Sequence, residues 1–167
     1  WWSYPTPYVW VLTYPVCHHV DMKQETTNNP LSEAIGYQLK RVTALLRTRM
    51  DKALRPLGLT VPQYACLELL GQQPGLSNAD LARGAFVTRQ SMNLVLRGLQ
   101  DRGLVQRPES VDKGRARPSQ LTGTGREVLE RASASIAEVE RQMLAGLSEG
   151  EIHGIRNALS RCSTNLK

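Results

Sequence analysis

From Ile35 onward the apolar positions recur at three- and four-residue steps: Ile35, Leu39, Val42, Leu46, Met50 and Ala53. That is the period of an amphipathic helix. Ser32 stands where an N-cap would, so the pattern predicts a long helix to about Leu54, ended by Pro56 and Gly58. Thr60-Val61-Pro62-Gln63 has the form of a capping box with proline in the first turn, opening a second helix that ends near Gln72. Pro74-Gly75 breaks the chain, and Ser77-Asn78-Ala79-Asp80 opens a short third helix to about Arg83. Gly84-Ala85-Phe86-Val87 reads as a tight turn, after which Thr88 caps a fourth helix ending at Gly103.

The period then changes. Leu104-Val105-Gln106-Arg107 and Ser119-Gln120-Leu121-Thr122 are short strand-like runs around a charged loop with Pro108 and Gly114, which predicts a β-hairpin. A fifth helix follows from about Thr124 to Gly146, with Val128, Ala132, Ile136, Val139, Met143 and Leu147 in register. Ser148-Glu149-Gly150-Glu151 is another capping box, and Ile152, Ile155, Leu159, Cys162 and Leu166 stripe the last helix. The expected class is mainly α with one small β-hairpin (α+β), without internal repeats or low-complexity segments. The first, fifth and sixth helices carry more apolar surface than a small central unit can cover, which points to a dimer. An intrachain helical subdomain is the plainer alternative.

Two short helices joined by a glycine-containing turn, the second of them basic, satisfy the requirements of a helix-turn-helix. Leu81, Ala82, Phe86, Val87, Met92, Val95, Leu96 and Leu99 are expected to form its core, leaving Arg89, Gln90, Ser91, Asn93 and Arg97 to face outward. Gln and Asn can bond an adenine edge in bidentate fashion and Arg a guanine edge, while Ser or Thr, including Thr88, can reach phosphates or bases. The hairpin loop brings Lys113, Arg115 and Arg117 beside that helix, as a wing entering the adjacent minor groove would. An ordinary polar surface on a small helical bundle is the competing reading.

Composition favours the first reading. The chain of 167 residues has a formal charge of +6 and 41% hydrophobic residues, enough for a packed core. The segment Arg83 to Arg117 holds eight basic residues opposed by Asp101, Glu109 and Asp112 only, a net of +5. A solvated basic face would look similar, but a concentrated excess suits double-stranded nucleic acid. No catalytic constellation competes: from Met22 onward the single histidine is His153, with no phosphate-cradling glycine loop and no metal-ligand pair, so an enzyme, a metal site or a cofactor is not expected. The three cysteines (Cys17, Cys66, Cys162) form neither a disulfide framework nor a zinc spacing, and no run is apolar enough to span a membrane, so a cytoplasmic setting is expected. Residues 1–30 read as an unstructured or artefactual extension. All three tryptophans lie within residues 1–21, together with Pro5, Pro7 and Pro15, and Met22 resembles an ordinary start. The Cys17-His18-His19 triplet is weak as a metal tripod.

From about Leu31 to Lys167 the chain resembles the multiple-antibiotic-resistance regulator (MarR) family of winged helix-turn-helix transcriptional regulators. The resemblance rests on Ser77-Asn78-Ala79-Asp80-Leu81-Ala82, Val87-Thr88-Arg89-Gln90-Ser91-Met92, Leu99-Gln100-Asp101-Arg102-Gly103-Leu104-Val105, and the wing Gly114-Arg115-Ala116 followed by Leu121-Thr122 and Gly125. It implies a homodimer held by long terminal helices (31–58 and 123–167) around a DNA-binding domain (59–122), acting on a pseudo-palindromic operator, with repression the simpler default. By the same resemblance Arg115 would enter the minor groove, and Gln90 and Ser91 would lie where bases are read. Many members have an aspartate where this chain has Lys113, with Asp112 one step earlier, so an Asp–Arg brace of the wing does not carry over. Family members commonly bind small aromatic effectors between dimerisation helices and winged domain, which here would involve Leu39, Leu46, Tyr64 and Leu67. A redox switch is disfavoured, because no cysteine lies between Ser32 and Leu54. A winged-helix module that uses the same helix for protein contacts, without specific DNA binding, is the remaining alternative.

Overall fold

The computed structural model describes residues 30–106 and 119–167. Helix α1 (Pro30–Glu33) and helix α2 (Ile35–Leu54) are separated at Ala34, whose extended backbone supplies no side-chain cap. The cap expected at Ser32 is not formed. Proline suits the first helical position, so helical structure begins at Pro30 and Ser32 falls inside α1. Its carbonyl accepts instead from Gln38 Nε2 at 3.0 Å, across the break.

The remaining boundaries follow their local chemistry. A single 3₁₀ turn (Arg55–Leu57) follows α2, and Gly58 leaves it at φ 63, in the left-handed region that glycine enters without steric cost. Helix α3 (Val61–Gln72) opens on a complete capping box, with Thr60 N donating to Gln63 Oε1 at 3.0 Å. Helix α4 (Asn78–Gly84) opens on another, between Ser77 and Asp80. Thr88 caps helix α5 (Arg89–Asp101) by accepting from Ser91 N at 3.1 Å. Strand β1 (Val105–Gln106) pairs antiparallel with β2 (Gln120–Leu121), Val105 opposite Leu121 and Gln106 opposite Gln120. Helix α6 (Gly123–Met143) and helix α7 (Glu149–Asn165) complete the chain, the latter opened by a capping box between Ser148 and Glu151.

Leu54 from α2, Leu67 and Leu70 from α3, Leu81 from α4, Met92, Leu96 and Leu99 from α5, and Ala132 from α6 bury together in one core, which Leu121 closes from β2. Helix α2 lies along α6, and α3 packs between α6 and α5. The junction of hairpin and α6 is tight. Thr122 Oγ1 donates to Gly103 O at 2.7 Å and accepts from Gly125 N at 2.9 Å. A Cβ on Gly125 would stand 2.0 Å from the Leu104 carbonyl oxygen, so only glycine fits.

Phe86, expected in the core, is 95% exposed. The chain reverses between α4 and α5 by taking Phe86 to φ 55 while Val87 N bonds back to Ala82 O at 3.0 Å. That geometry leaves the ring in solvent, and leucines from α2 and α3 fill the core. Val87 and Val95 pack at its edge as expected. The last helix is the opposite case: it buries no residue, and Ile155, Leu159 and Leu166 of its stripe are exposed.

Candidate nucleic-acid interface

Helices α4 and α5 meet through Leu81, Ala82, Met92, Leu96 and Leu99. Asn78 Nδ2 also donates to the Arg89 carbonyl at 3.3 Å, tying the start of one helix to the start of the other. At its far end α5 is fixed by Arg102, whose Nη1 and Nη2 donate to Gly58 O at 2.7 Å and Leu57 O at 3.0 Å. The helix is therefore held at both ends. Neither residue was singled out from the sequence, although each adjoins a signal that was: Asn78 follows the cap Ser77, and Arg102 precedes the helix-ending Gly103.

With one face of α5 buried, Arg89, Gln90, Ser91, Asn93 and Arg97 all stand exposed. Thr88 is exposed as well, and its hydroxyl donates to Ser91 Oγ at 2.9 Å, which orders both hydroxyls at the head of the helix. Gln90, Asn93 and Arg97 follow at three- and four-residue steps and so share one side of the helix. Asp80, which caps α4, is held below the usual carboxylate range first by the Ser77 hydroxyl and also by the Arg83 guanidinium, with which it forms an ion pair. Lys113, Arg115 and Arg117 lie outside the described residues.

The four expected effector-site residues sit in different surroundings. Leu67 is completely buried in the core, Leu39 is exposed, and Tyr64 is half-buried at the seam of α3 and α6. Burial first of all, and then the Glu68 carboxylate, raise the Tyr64 phenol above its ordinary value against the lowering effect of Ser133, so it stays neutral. Ser133 Oγ donates to Glu68 Oε2 at 3.0 Å in the same seam. Leu46 instead lines a groove of about 290 Å³ between α2 and α6, with Leu45, Val139, Met143, Arg49 and Gln142. Among the described residues no group of three His, Cys, Asp or Glu side chains could hold a metal ion, and no helix is long and apolar enough to cross a membrane.

A braced helix with an exposed polar and cationic face, followed by a two-stranded hairpin and embraced by long helices, defines a winged helix-turn-helix protein. The comparisons agree. The sequence model of the MarR family matches residues 57–116. The HTH-type transcriptional repressor Rv2887 of Mycobacterium tuberculosis is 45% identical over 131 residues, 78% of this chain and 94% of that protein. The crystal structure of Rv2887 in complex with salicylic acid is similar with a TM-score of 0.65 at 46% identity, covering 77% of this chain and 96% of that one. Its complex with DNA gives a TM-score of 0.65 at 43% identity, covering 77% and 97%. The chain belongs to the MarR family of transcriptional regulators.

Proposed function

We propose that the chain is a homodimeric, ligand-responsive repressor that reads a pseudo-palindromic DNA operator. The single observation that carries this reading is the two-sided character of α5, with Met92, Leu96 and Leu99 buried while Arg89, Gln90, Asn93 and Arg97 are free for a partner. In this reading Gln90, Ser91 and Asn93 contact base edges, and Thr88, Arg89 and Arg97 fix the register on phosphates. Lys113, Arg115 and Arg117 form the wing tip, with Arg115 in the minor groove. The terminal segments 31–58 and 123–167 act as dimerisation helices around the DNA-binding unit 59–122, and two copies of α5 read half-sites about one helical turn apart. Such a regulator works in the cytoplasm, where the chromosome is.

Two observations support a small aromatic effector. Rv2887 crystallised with salicylic acid. In this chain the groove between α2 and α6 sets apolar walls beside the Arg49 guanidinium, which suits an aromatic carboxylate.

The test is fluorescence anisotropy with the duplex that flanks the protein's own gene, at ~150 mM salt with excess nonspecific competitor, because any basic protein binds DNA at low salt. Competitor-resistant binding at nanomolar concentrations by a dimer, weakened by salicylate, is expected. Binding that disappears with competitor on this duplex and on a randomised pool would overturn the reading in favour of a protein-contact module.

A further inference from the structure

The exposed large apolar side chains of the described residues divide into two sets. One runs along α1, α2, the end of α6 and α7, with Ile35, Val42, Leu45, Ile155 and Leu159 among its members, and the dimer proposed above accounts for it. The other consists of Phe86 and Leu94 alone, both in the helix-turn-helix. Phe86 stands outside the helix, in the turn. Leu94 is 64% exposed in the middle of α5.

Its position on the helix is specific. At about 100° per residue, Leu94 lies nearly opposite the buried Met92 and Leu96, each two residues away. It stands one turn beyond Gln90 and Ser91 and one turn before Arg97. An apolar side chain thus interrupts an otherwise polar stripe, and the fold gains nothing from it, because a polar residue there would leave the core untouched. The major groove offers one apolar group for such a side chain, the 5-methyl of thymine. The cations on either side, Arg89 and Arg97, favour a polyanion over an apolar protein patch.

We propose that Leu94 is a specificity-determining residue that packs on a thymine 5-methyl group, selecting thymine at one base pair of each half-site beyond the pairs read by Gln90 and Ser91. The proposal rests on the operator-binding reading above. It adds an apolar, shape-based contact to a set of hydrogen bonds, and it makes the operator's thymine content part of what the protein recognises.

The experiment begins by selecting duplexes from a randomised pool with the full chain. Each thymine of the recovered half-site is then replaced by deoxyuridine, which removes the methyl group and nothing else. Affinities are measured at fixed salt for the wild type, Leu94→Ala and Leu94→Met. In the wild type one thymine per half-site should weaken binding about fourfold when demethylated, as expected for one methyl-sized contact. Leu94→Ala should be insensitive to that change, with an unaltered salt dependence because no phosphate contact is lost. Leu94→Met should stay sensitive. Because the side chain is exposed, thermal unfolding of both variants should match the wild type, which separates lost contact from lost fold. The absence of a methyl-sensitive thymine in the wild type would overturn the proposal, as would sensitivity that persists in Leu94→Ala. A pool that yields no preferred sequence would overturn the operator reading itself and Leu94's role with it.

Discussion

The centre of the chain and its two ends handle apolar surface in opposite ways. Between Leu54 and Ala132 the leucines of five helices and the hairpin close on one another, and the largest of them are fully buried. Along α2 the side chains stay exposed until the last turns, and α7 buries none at all, although its apolar residues are spaced just as regularly. Periodicity alone does not separate the two regions; what differs is whether one chain supplies both faces. The centre is complete in a single copy, and the ends have the character of one half of an interface. This contrast supports the proposal that 31–58 and 123–167 carry the dimerisation helices.

The largest expected effect comes from attacking the ends. Ile155→Asp with Leu159→Asp places two charges on the α7 stripe, where a dimer would have to desolvate them. Sedimentation should show a dimer for the wild type and a monomer for the variant, while circular dichroism stays helical. Operator affinity should fall by about 100-fold or more, since two linked half-sites become one. A double variant that remains dimeric would remove α7 from the interface and leave the exposed stripe without this explanation.

The next effect lies in the centre and should respond differently. Leu96→Ala empties space in a fully buried position and should cost about 2–5 kcal/mol by denaturant titration. Gly125→Ala forces a Cβ against the Leu104 carbonyl oxygen and should cost about 1–3 kcal/mol as the hairpin is pushed from α6. The comparison is sharpened by concentration. The Tm loss of Leu96→Ala should keep the same size at every protein concentration, whereas that of Leu159→Ala, which weakens association, should shrink on dilution as the wild type dissociates too. Equal concentration dependence in both would mean that centre and ends fold as one obligate unit.

Much of this architecture was legible in the sequence, because the signals were local. The boxes Thr60–Gln63 and Ser148–Glu151 form as read, α4 opens at Ser77 as expected, the α5 cap sits at Thr88, and the hairpin falls where the period changed. The helix-turn-helix and its outward residues were legible for the same reason, since a buried face on α5 settles the exposed one. What was not legible is long-range. The Arg102 contact with Leu57 and Gly58 joins residues 44 and 45 apart in the chain, and spacing says nothing about such a pair. The groove between α2 and α6 depends on which faces of two distant helices meet, so of the expected effector residues only Leu46 lines it.

A smaller effect follows from the caps. Asp80 and Glu151 are both held below the ordinary carboxylate range, chiefly by the serine hydroxyls they face, and Glu138 is lowered by Arg141 and Gln142. A carboxyl whose folded pKa lies below its unfolded value stabilises the fold fully above the unfolded value, and loses that contribution as pH falls through the folded one. Tm should therefore be flat near neutrality and decline as the pH drops below about 4–5. Asp80→Asn should show a shallower decline. Because Asp80 caps α4 in the centre, the difference should be the same above and below the dimer's dissociation concentration. A pH profile identical to the wild type would mean that the Ser77 and Arg83 contacts are not held in solution.

The smallest effect should come from Phe86, the residue where the sequence pattern and the fold disagree most. Its ring is in solvent and its backbone is left-handed, a region that costs a side chain with Cβ about 1–2 kcal/mol and that asparagine tolerates better. Phe86→Asn should therefore leave stability unchanged or raise it slightly, by no more than about 0.5 kcal/mol in denaturant titration, as is usual for surface changes away from special contacts. An apolar residue in the middle of a helix-turn-helix that can be made polar without loss would show that the turn is set by its backbone, through the Val87–Ala82 hydrogen bond, and not by a buried ring. A loss of more than about 1 kcal/mol would instead mean that Phe86 packs against something a single chain does not contain. In that case the division between a self-sufficient centre and unfinished ends would have to give way at this turn.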